Sequence, residues 1–319
     1  MRALAPLALL VLLAGMPRLV GEPYVIHVLT LAFIWTVPAI GLNLMLGYTG
    51  LVSLGHMAFA GIGGYTAAVL MVDANWSFWT ALVLGTVAAG VAGAAIGAMC
   101  LRFRSHFFMI VTLALGLMIY SVLNNWDEVT RGAEGLAGVP RPAPIEWFGE
   151  PIRFGRLVNY YYLALAFSAL AFVLQWLAVR SNLGRALAAI RQDERLARAK
   201  GLNVMAYKTF AFALGSALAG LGGVLYVSFL RVAAPASFNL AESINAVLVV
   251  IVGGAGSLIG PALGAVVFVA VPELLRAAEA WRLVIFGSAL VVITLFAPRG
   301  LAGGVDWLVR RLRRSGDRP

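Results

Sequence analysis

The chain has 319 residues, 61% hydrophobic and 12% charged, with mean hydropathy +0.91. Soluble domains carry about 25% charged residues, so a water-soluble core is excluded and a polytopic membrane protein is expected. The formal net charge of +10 would suggest nucleic acid in a soluble chain, but here the arginines lie in loops and the tail, where topology and anionic lipid account for them.

The first segment, MRALAPLALLVLLAGMPRLV, has one arginine followed by an apolar run. It reads as a retained first span or as a signal peptide, and no small-x-small cleavage site follows. Ten crossings are expected, at about 4–20, 24–46, 54–72, 79–101, 106–123, 158–179, 207–230, 244–256, 258–271 and 283–297. Charge parity sets their number. The basic run 180–206 and the tail 299–319, with Arg299, Arg310, Arg311, Arg313, Arg314 and Arg318, belong on the inner side. An even number of crossings must therefore separate them, which splits 244–271 at Gly253–Ser257 into two short helices rather than one long broken span. The expected fold is all-α, with about ten helices, some short or broken, and both termini cytoplasmic.

Pro38 is expected to kink or break the second span. After it, Asn43, Tyr48, Thr49, Gly50, Ser53 and His56 lie in GLNLMLGYTGLVSLGHMAFAGIGGY, Gly41–Tyr65, with Gly47 also in the run. This reads either as a polar insertion lining a pathway or as a cytoplasmic turn. His56 is a lone imidazole, a pattern that favours a hydrogen-bonded structural role. A faint repeat links Gly41-Leu42-Asn43 to Gly201-Leu202-Asn203 and Ala60–Gly64 to Ala219–Gly223. Transporter halves show such symmetry, and close helix packing through small residues produces the same pattern.

The loop 124–157 is expected outside. It carries five acids (Asp127, Glu128, Glu134, Glu146, Glu150) against four arginines, so it has no basic excess. Thr130, Arg131 and Gly132 form its distinctive segment. Pro140, Pro142 and Pro144 stiffen it.

The run Arg180–Asn203, RSNLGRALAAIRQDERLARAKGLN, is strongly basic and polar. Leu183, Leu187, Ile190 and Ala197 fall on one helical face, and Arg191, Arg195 and Arg198 on another. Good helix formers and the absence of proline predict one short amphipathic helix, stopped by Gly201 and Asn203. Positive-inside charge alone is one account of this loop; a docking helix is the other.

These motifs resemble branched-chain amino-acid ABC importer permeases of the LivM type. The resemblance is carried by Gly41–Tyr65 and by Gly184–Asn203. Weaker matches are Thr130–Leu136, where Arg131 replaces a glycine, and Gly253-Gly254-Ala255-Gly256-Ser257-Leu258-Ile259-Gly260-Pro261. It implies that Leu183, Gly184, Arg185, Ile190, Arg191, Asp193, Glu194, Ala197 and Gly201 form a loop coupled to an ATPase. It implies a translocation role for the Gly41–Tyr65 residues and for Gly253, Gly254, Gly256 and Ser257. Two ATP-binding subunits using ATP and Mg, a second, LivH-like permease and a periplasmic binding protein are the implied partners. The implied setting is the bacterial inner membrane. Branched-chain or other hydrophobic amino acids are the implied cargo, with urea and short amides open.

No G-x-x-x-x-G-K-[ST] loop occurs, so no cofactor or nucleotide is expected on this chain, and it is not expected to be an enzyme. No Cys/His spacing suggests a metal. No Asp or Glu falls inside the ten stretches, which weakens the alternative of a stand-alone proton-coupled carrier or channel. A substrate carboxylate at free N–H groups near Gly256 and Ser257 is a further expectation.

Overall fold

The computed structural model describes residues 13–19, 21–102, 105–147, 150–275, 281, 287–288 and 300–304. In chain order the helices are α1 (Pro23–Thr49), α2 (His56–Val72), α3 (Phe78–Cys100), α4 (Ser105–Asn125), a single-turn α5 (Asp127–Thr130), α6 (Leu157–Arg180), α7 (Asn182–Gln192), α8 (Glu194–Ala199), α9 (Val204–Leu230), α10 (Leu240–Gly253) and α11 (Gly260–Leu274). Of these, α1, α3, α6, α9 and α4 from Phe107 are long and apolar enough to cross a membrane; α2, α10 and α11 are shorter and apolar. Most of the crossings at 4–20 and 283–297 and most of the tail 299–319 lie outside the described residues.

Helix α9 is the centre, packed along α1, α2 and α3. Glycines make this possible. Gly63 of α2 lies against the backbone of Gly220, Gly223 against the carbonyl of Ala60, and Gly41 against the carbonyl of Gly215. The two A-G-x-G-G runs therefore meet face to face, which is what small residues at a helix crossing allow. The other half of the faint repeat fails: Gly41–Asn43 is inside α1, whereas Gly201–Asn203 is a turn. The apolar stretches of α1 and α9 are 72% buried but that of α4 only 17%, so α4 is peripheral.

Several expectations need correction. Helix α1 runs through Pro38 without a break, its pyrrolidine ring facing Gly222 of α9. Gly47 and Thr49 are helical; the irregular stretch is Gly50–Gly55. The all-α membrane architecture stands, with two short ladders added in the loops: β1 (Leu136–Ala137) pairs antiparallel with β4 (Val232–Ala233), and β2 (Ile145–Trp147) with β3 (Glu150–Ile152). This loop is tied down, with Leu136, Val139 and Phe154 buried. The split of 244–271 stands as two helices. Gly253 abuts Gly260 and Gly264 abuts Val249, an antiparallel hairpin. Both helices extend further than the apolar pattern, so each carries an acid near its far end, Glu242 and Glu273.

Candidate functional site

The run Arg180–Asn203 is two helices beyond the end of α6, not one. Asp193 leaves helical backbone (φ −153°, ψ 108°) and caps α8, accepting the amides of Arg195 and Leu196 at 2.8 and 3.0 Å. Asn and Asp favour this position because a short side-chain oxygen replaces a missing helix carbonyl. Asn203 is likewise a start, not a stop: it caps α9 by accepting from Ala206 N at 3.1 Å. Gly201, at φ +83°, makes the turn between them. Gly184 lies against the carbonyl of Val179, so a side chain there would block the sharp bend between α6 and α7.

The bend divides the three arginines expected on one face. Arg195 and Arg198 stand on α8. Arg191, at the end of α7, turns towards the helical body and donates to the carbonyl of Gly47 in α1. Beneath the loop, Ile190, Ala197 and Val204 are buried, with Leu202 and Tyr207 against them. Leu187 is buried as well, and Leu183 partly. Outwards, Ala188, Ala189, Gln192, Arg195, Leu196, Ala199 and Lys200 are exposed, and Leu196 is 54% exposed.

Gly47 is where three motifs distant in sequence converge. Asn43, one turn earlier in α1 and fully buried, donates through Nδ2 to the carbonyl of Ser257 at 2.8 Å and accepts the Gly256 amide on Oδ1, also at 2.8 Å. A primary amide is the one neutral side-chain group that offers a donor and an acceptor side by side. Here it grips the turn between α10 and α11. A Cβ on Gly47 would collide with Asn43 Oδ1 and the Gly256 backbone, and one on Gly256 would approach Gly47 O and Arg191 Nη1. The segment 300–304 joins from behind, Gly300 against Gly254. Asn43, Gly47, Arg191, Gly256 and Ser257 thus form one junction at the loop end of the molecule.

Within the turn, Ser257 Oγ donates to Gly254 O at 2.9 Å and accepts from Gly260 N at 2.8 Å. The amides of Gly256 and Gly260 and the hydroxyl of Ser257 are all engaged. The expected carboxylate site finds no free donor among them.

The other residues of Gly41–Tyr65 do not join this junction. Thr49 bonds back to Met45 O at 2.5 Å, and Gly50 ends α1 at φ +75°. Tyr48 faces Gln175 of α6. The chain then runs back along α1, and α2 starts with His56 Nε2 at 2.9 Å from Pro38 O. Pro38 is eleven residues before the end of α1, about 16 Å of helix. The irregular stretch therefore lies deep in the bundle, with Leu51, Ser53 and Gly55 buried. Its backbone finds partners, Leu51 N on Met45 O and Leu54 N on Thr112 Oγ1, as buried backbone in lipid must. His56 thus ties the start of α2 to α1 through Nε2, while its buried Nδ1 has no hydrogen-bond partner among the described residues.

Thr130, Arg131 and Gly132 are at the opposite end. Thr130 is buried and closes α5, donating to Trp126 O at 2.7 Å. Arg131 pairs with Asp73 at 3.0 Å across two loops. Its backbone is left-handed, φ +62°, which favours glycine. That accounts for the glycine it replaces in the motif.

Lys208 is a residue the sequence reading missed. It is nearly buried near the start of α9 and donates to Glu194 at 2.6 Å, while Arg198 holds the other carboxylate oxygen at 2.7 Å. The available signal was a lysine inside an apolar stretch, fourteen positions after an acid. Burial would raise the Glu194 pKa, but the hydrogen bonds and charges of Lys208 and Arg198 outweigh it and hold the carboxyl below its ordinary value. A depressed acid stabilises the fold above its unfolded pKa, and that contribution disappears as pH falls through the folded one. Hydrogen-exchange protection across 194–208 is therefore expected to drop on acidification through and below the ordinary carboxylate range. Glu194→Gln should flatten that dependence; an unchanged profile in the variant would disprove the linkage.

A sequence model of the family described as "Branched-chain amino acid transport system / permease component" matches residues 24–295. The chain belongs to this family. It is 32% identical over 312 residues to the "High-affinity branched-chain amino acid transport system permease protein LivM" of Escherichia coli K12, covering 92% of this chain and 73% of that one. It is also 26% identical over 294 residues to LivH of the same strain, covering 86% and 92%. The "Ribose import permease protein RbsC" of that strain is 26% identical over 273 residues, covering 82% and 81%. No solved structure matches. The protein is thus a multi-pass, LivM-type membrane permease; the likeness to a ribose permease shows that the shared architecture does not by itself fix a cargo.

Proposed function

We propose that the chain is the membrane-spanning subunit of a binding-protein-dependent ABC importer in the bacterial inner membrane, carrying branched-chain or other hydrophobic amino acids. It crosses the membrane ten times with both termini inside. A LivH-like permease completes the pathway, a periplasmic binding protein delivers cargo, and two cytoplasmic subunits hydrolyse ATP with Mg. The loop α7–α8 docks on those subunits. The observation that supports this best is the two-sided character of the loop. Its inner side is buried and reaches Gly47 through Arg191. Its outer side exposes Leu196 among small and basic residues, the pattern of an anchor awaiting a groove.

In this reading, motion of the ATPases tilts α7 and α8. Arg191, Gly47 and Asn43 carry that tilt to the α10–α11 turn, and a packed junction of this kind has discrete arrangements rather than continuous ones. Leu196→Asp places a charge on the exposed anchor without touching the fold. It is expected to reduce co-purification with the ATP-binding subunits at least tenfold. Full association of that variant would sink the docking assignment, and uptake by the chain alone in liposomes would favour a stand-alone carrier.

A further inference from the structure

At the end of the molecule away from the Arg191 junction, an open pocket of about 370 Å³ is lined by Pro140, Arg141, Gly155 and Arg231. Arg141 donates to Gly155 O at 2.6 Å, and its guanidinium lies 5.8 and 5.9 Å from the rings of Tyr160 and Phe229. Its Nε is buried and has no hydrogen-bond partner. Arg231 ends α9 in left-handed backbone, and its carbonyl accepts the amides of Gly138 and Val139, which ties the loop segment leading to Arg141 to α9. Arg153 and Arg156 flank Gly155 in a turn closed by Arg156 N on Arg153 O at 3.2 Å.

None of these four arginines pairs with a carboxylate among the described residues, whereas Arg131 of the same loop pairs with Asp73. Beside them in the chain, Ile152, Val158 and Leu230 leave apolar side chains exposed, and Tyr162 follows one turn along α6. A cationic pocket therefore stands next to bare apolar helix surface, where two membrane helices end.

We propose that this pocket binds the phosphate of an anionic phospholipid headgroup, with the acyl chains lying along the ends of α6 and α9. Arg141 and Arg231 both line the open pocket, and a phosphate oxygen accepts from guanidinium N–H groups there in the forked geometry arginine favours. The aromatic rings under Arg141 hold its plane in place before the lipid arrives. The exposed apolar neighbours select a lipid over a soluble anion, which has nothing to place on them. The inference rests on the membrane location of the chain and not on its cargo or its ATPase partners.

The test uses the full-length chain in nanodiscs of phosphatidylcholine with and without phosphatidylglycerol, with retained lipid counted by native mass spectrometry after detergent extraction. The wild type is expected to keep phosphatidylglycerol in preference to phosphatidylcholine. Arg141→Gln combined with Arg231→Gln should lower that retention roughly tenfold or more, while Arg131→Gln leaves it unchanged. Unfolding temperature in pure phosphatidylcholine controls for folding; if the double variant is unstable, Arg231→Gln alone, at an exposed position, is expected to show a partial loss. Equal retention of both lipids, or full retention by the arginine variants, overturns the proposal. Displacement of the lipid by inorganic phosphate at matching affinity overturns it in favour of a free anion.

Discussion

Replacing Asn43 with alanine is expected to abolish uptake while the α1–α2–α9 core stays folded. Asn43 makes two hydrogen bonds of 2.8 Å to the Gly256 amide and the Ser257 carbonyl, and it is itself fully buried. Truncation leaves both backbone groups without these partners in a low-dielectric interior. Each orphaned group costs about 1–3 kcal/mol, so the turn loses roughly 2–6 kcal/mol of attachment to α1. The core does not depend on that attachment, because α1, α2 and α9 are held by glycine-mediated contacts further along the helices, such as Gly63 on Gly220. Asn43→Asp separates the two bonds: it retains an acceptor for Gly256 N–H but presents an oxygen to the Ser257 carbonyl. The aspartate variant should therefore fail as well, even though its shape is preserved. The measurement is ATP-driven uptake in proteoliposomes beside the unfolding temperature of the purified chain. Near-normal uptake by Asn43→Ala would falsify a transmitting role for this junction.

The sequence made the helices legible and their joints only partly so. Long apolar runs fix the position of a membrane span, because lipid demands continuous burial or exposure of apolar side chains. The five span-length helices accordingly fall close to where hydropathy puts them. Joints depend on single polar residues whose partners are far away in the chain. Nothing local reveals that Asn43 looks to Ser257, 214 positions on. Within a basic amphipathic run Asp193 reads as one more helical residue, although its preference for capping is a usable sign that the helix ends there. Pro38 misled in the opposite direction. Proline removes a backbone donor, but tight packing of its ring on Gly222 and the tie from its carbonyl to His56 surround it within a continuous helix. The small β ladders were invisible because two- and three-residue strands carry no periodicity. The glycine runs were legible as packing faces, and Ala60–Gly64 and Ala219–Gly223 do lie in mutual contact.

Gly47→Ala is expected to be as damaging as loss of Asn43, for a steric rather than a polar reason. The added methyl would collide with Asn43 Oδ1 and the Gly256 amide nitrogen and would come within 2.8 Å of Gly256 Cα. Two of these atoms are backbone, so no side-chain rotation relieves the clash. The α10–α11 turn must move away from α1, which breaks both Asn43 bonds at once. Overpacking of this kind costs typically 1–3 kcal/mol, to which the lost hydrogen bonds add. Because helical alanine is otherwise favoured over glycine by about 1 kcal/mol, the substitution should strengthen α1 while breaking the junction. That opposition separates the two roles. Helix content and core stability are expected to hold or rise, and uptake is expected to fall at least a hundredfold. The ATPase subunits should still bind, since the outer face of α7–α8 is untouched, but their hydrolysis should no longer be tied to transport. Arg191→Gln tests the same linkage from the other side. It removes the charged donor to Gly47 O without a clash, so it should uncouple more mildly. Combined with Asn43→Ala it should add little to the loss of hydrogen-exchange protection at the α10–α11 turn, as expected of residues in one hydrogen-bonded network. Additive losses in the double variant, or wild-type transport by Gly47→Ala, would show that loop and hairpin work independently.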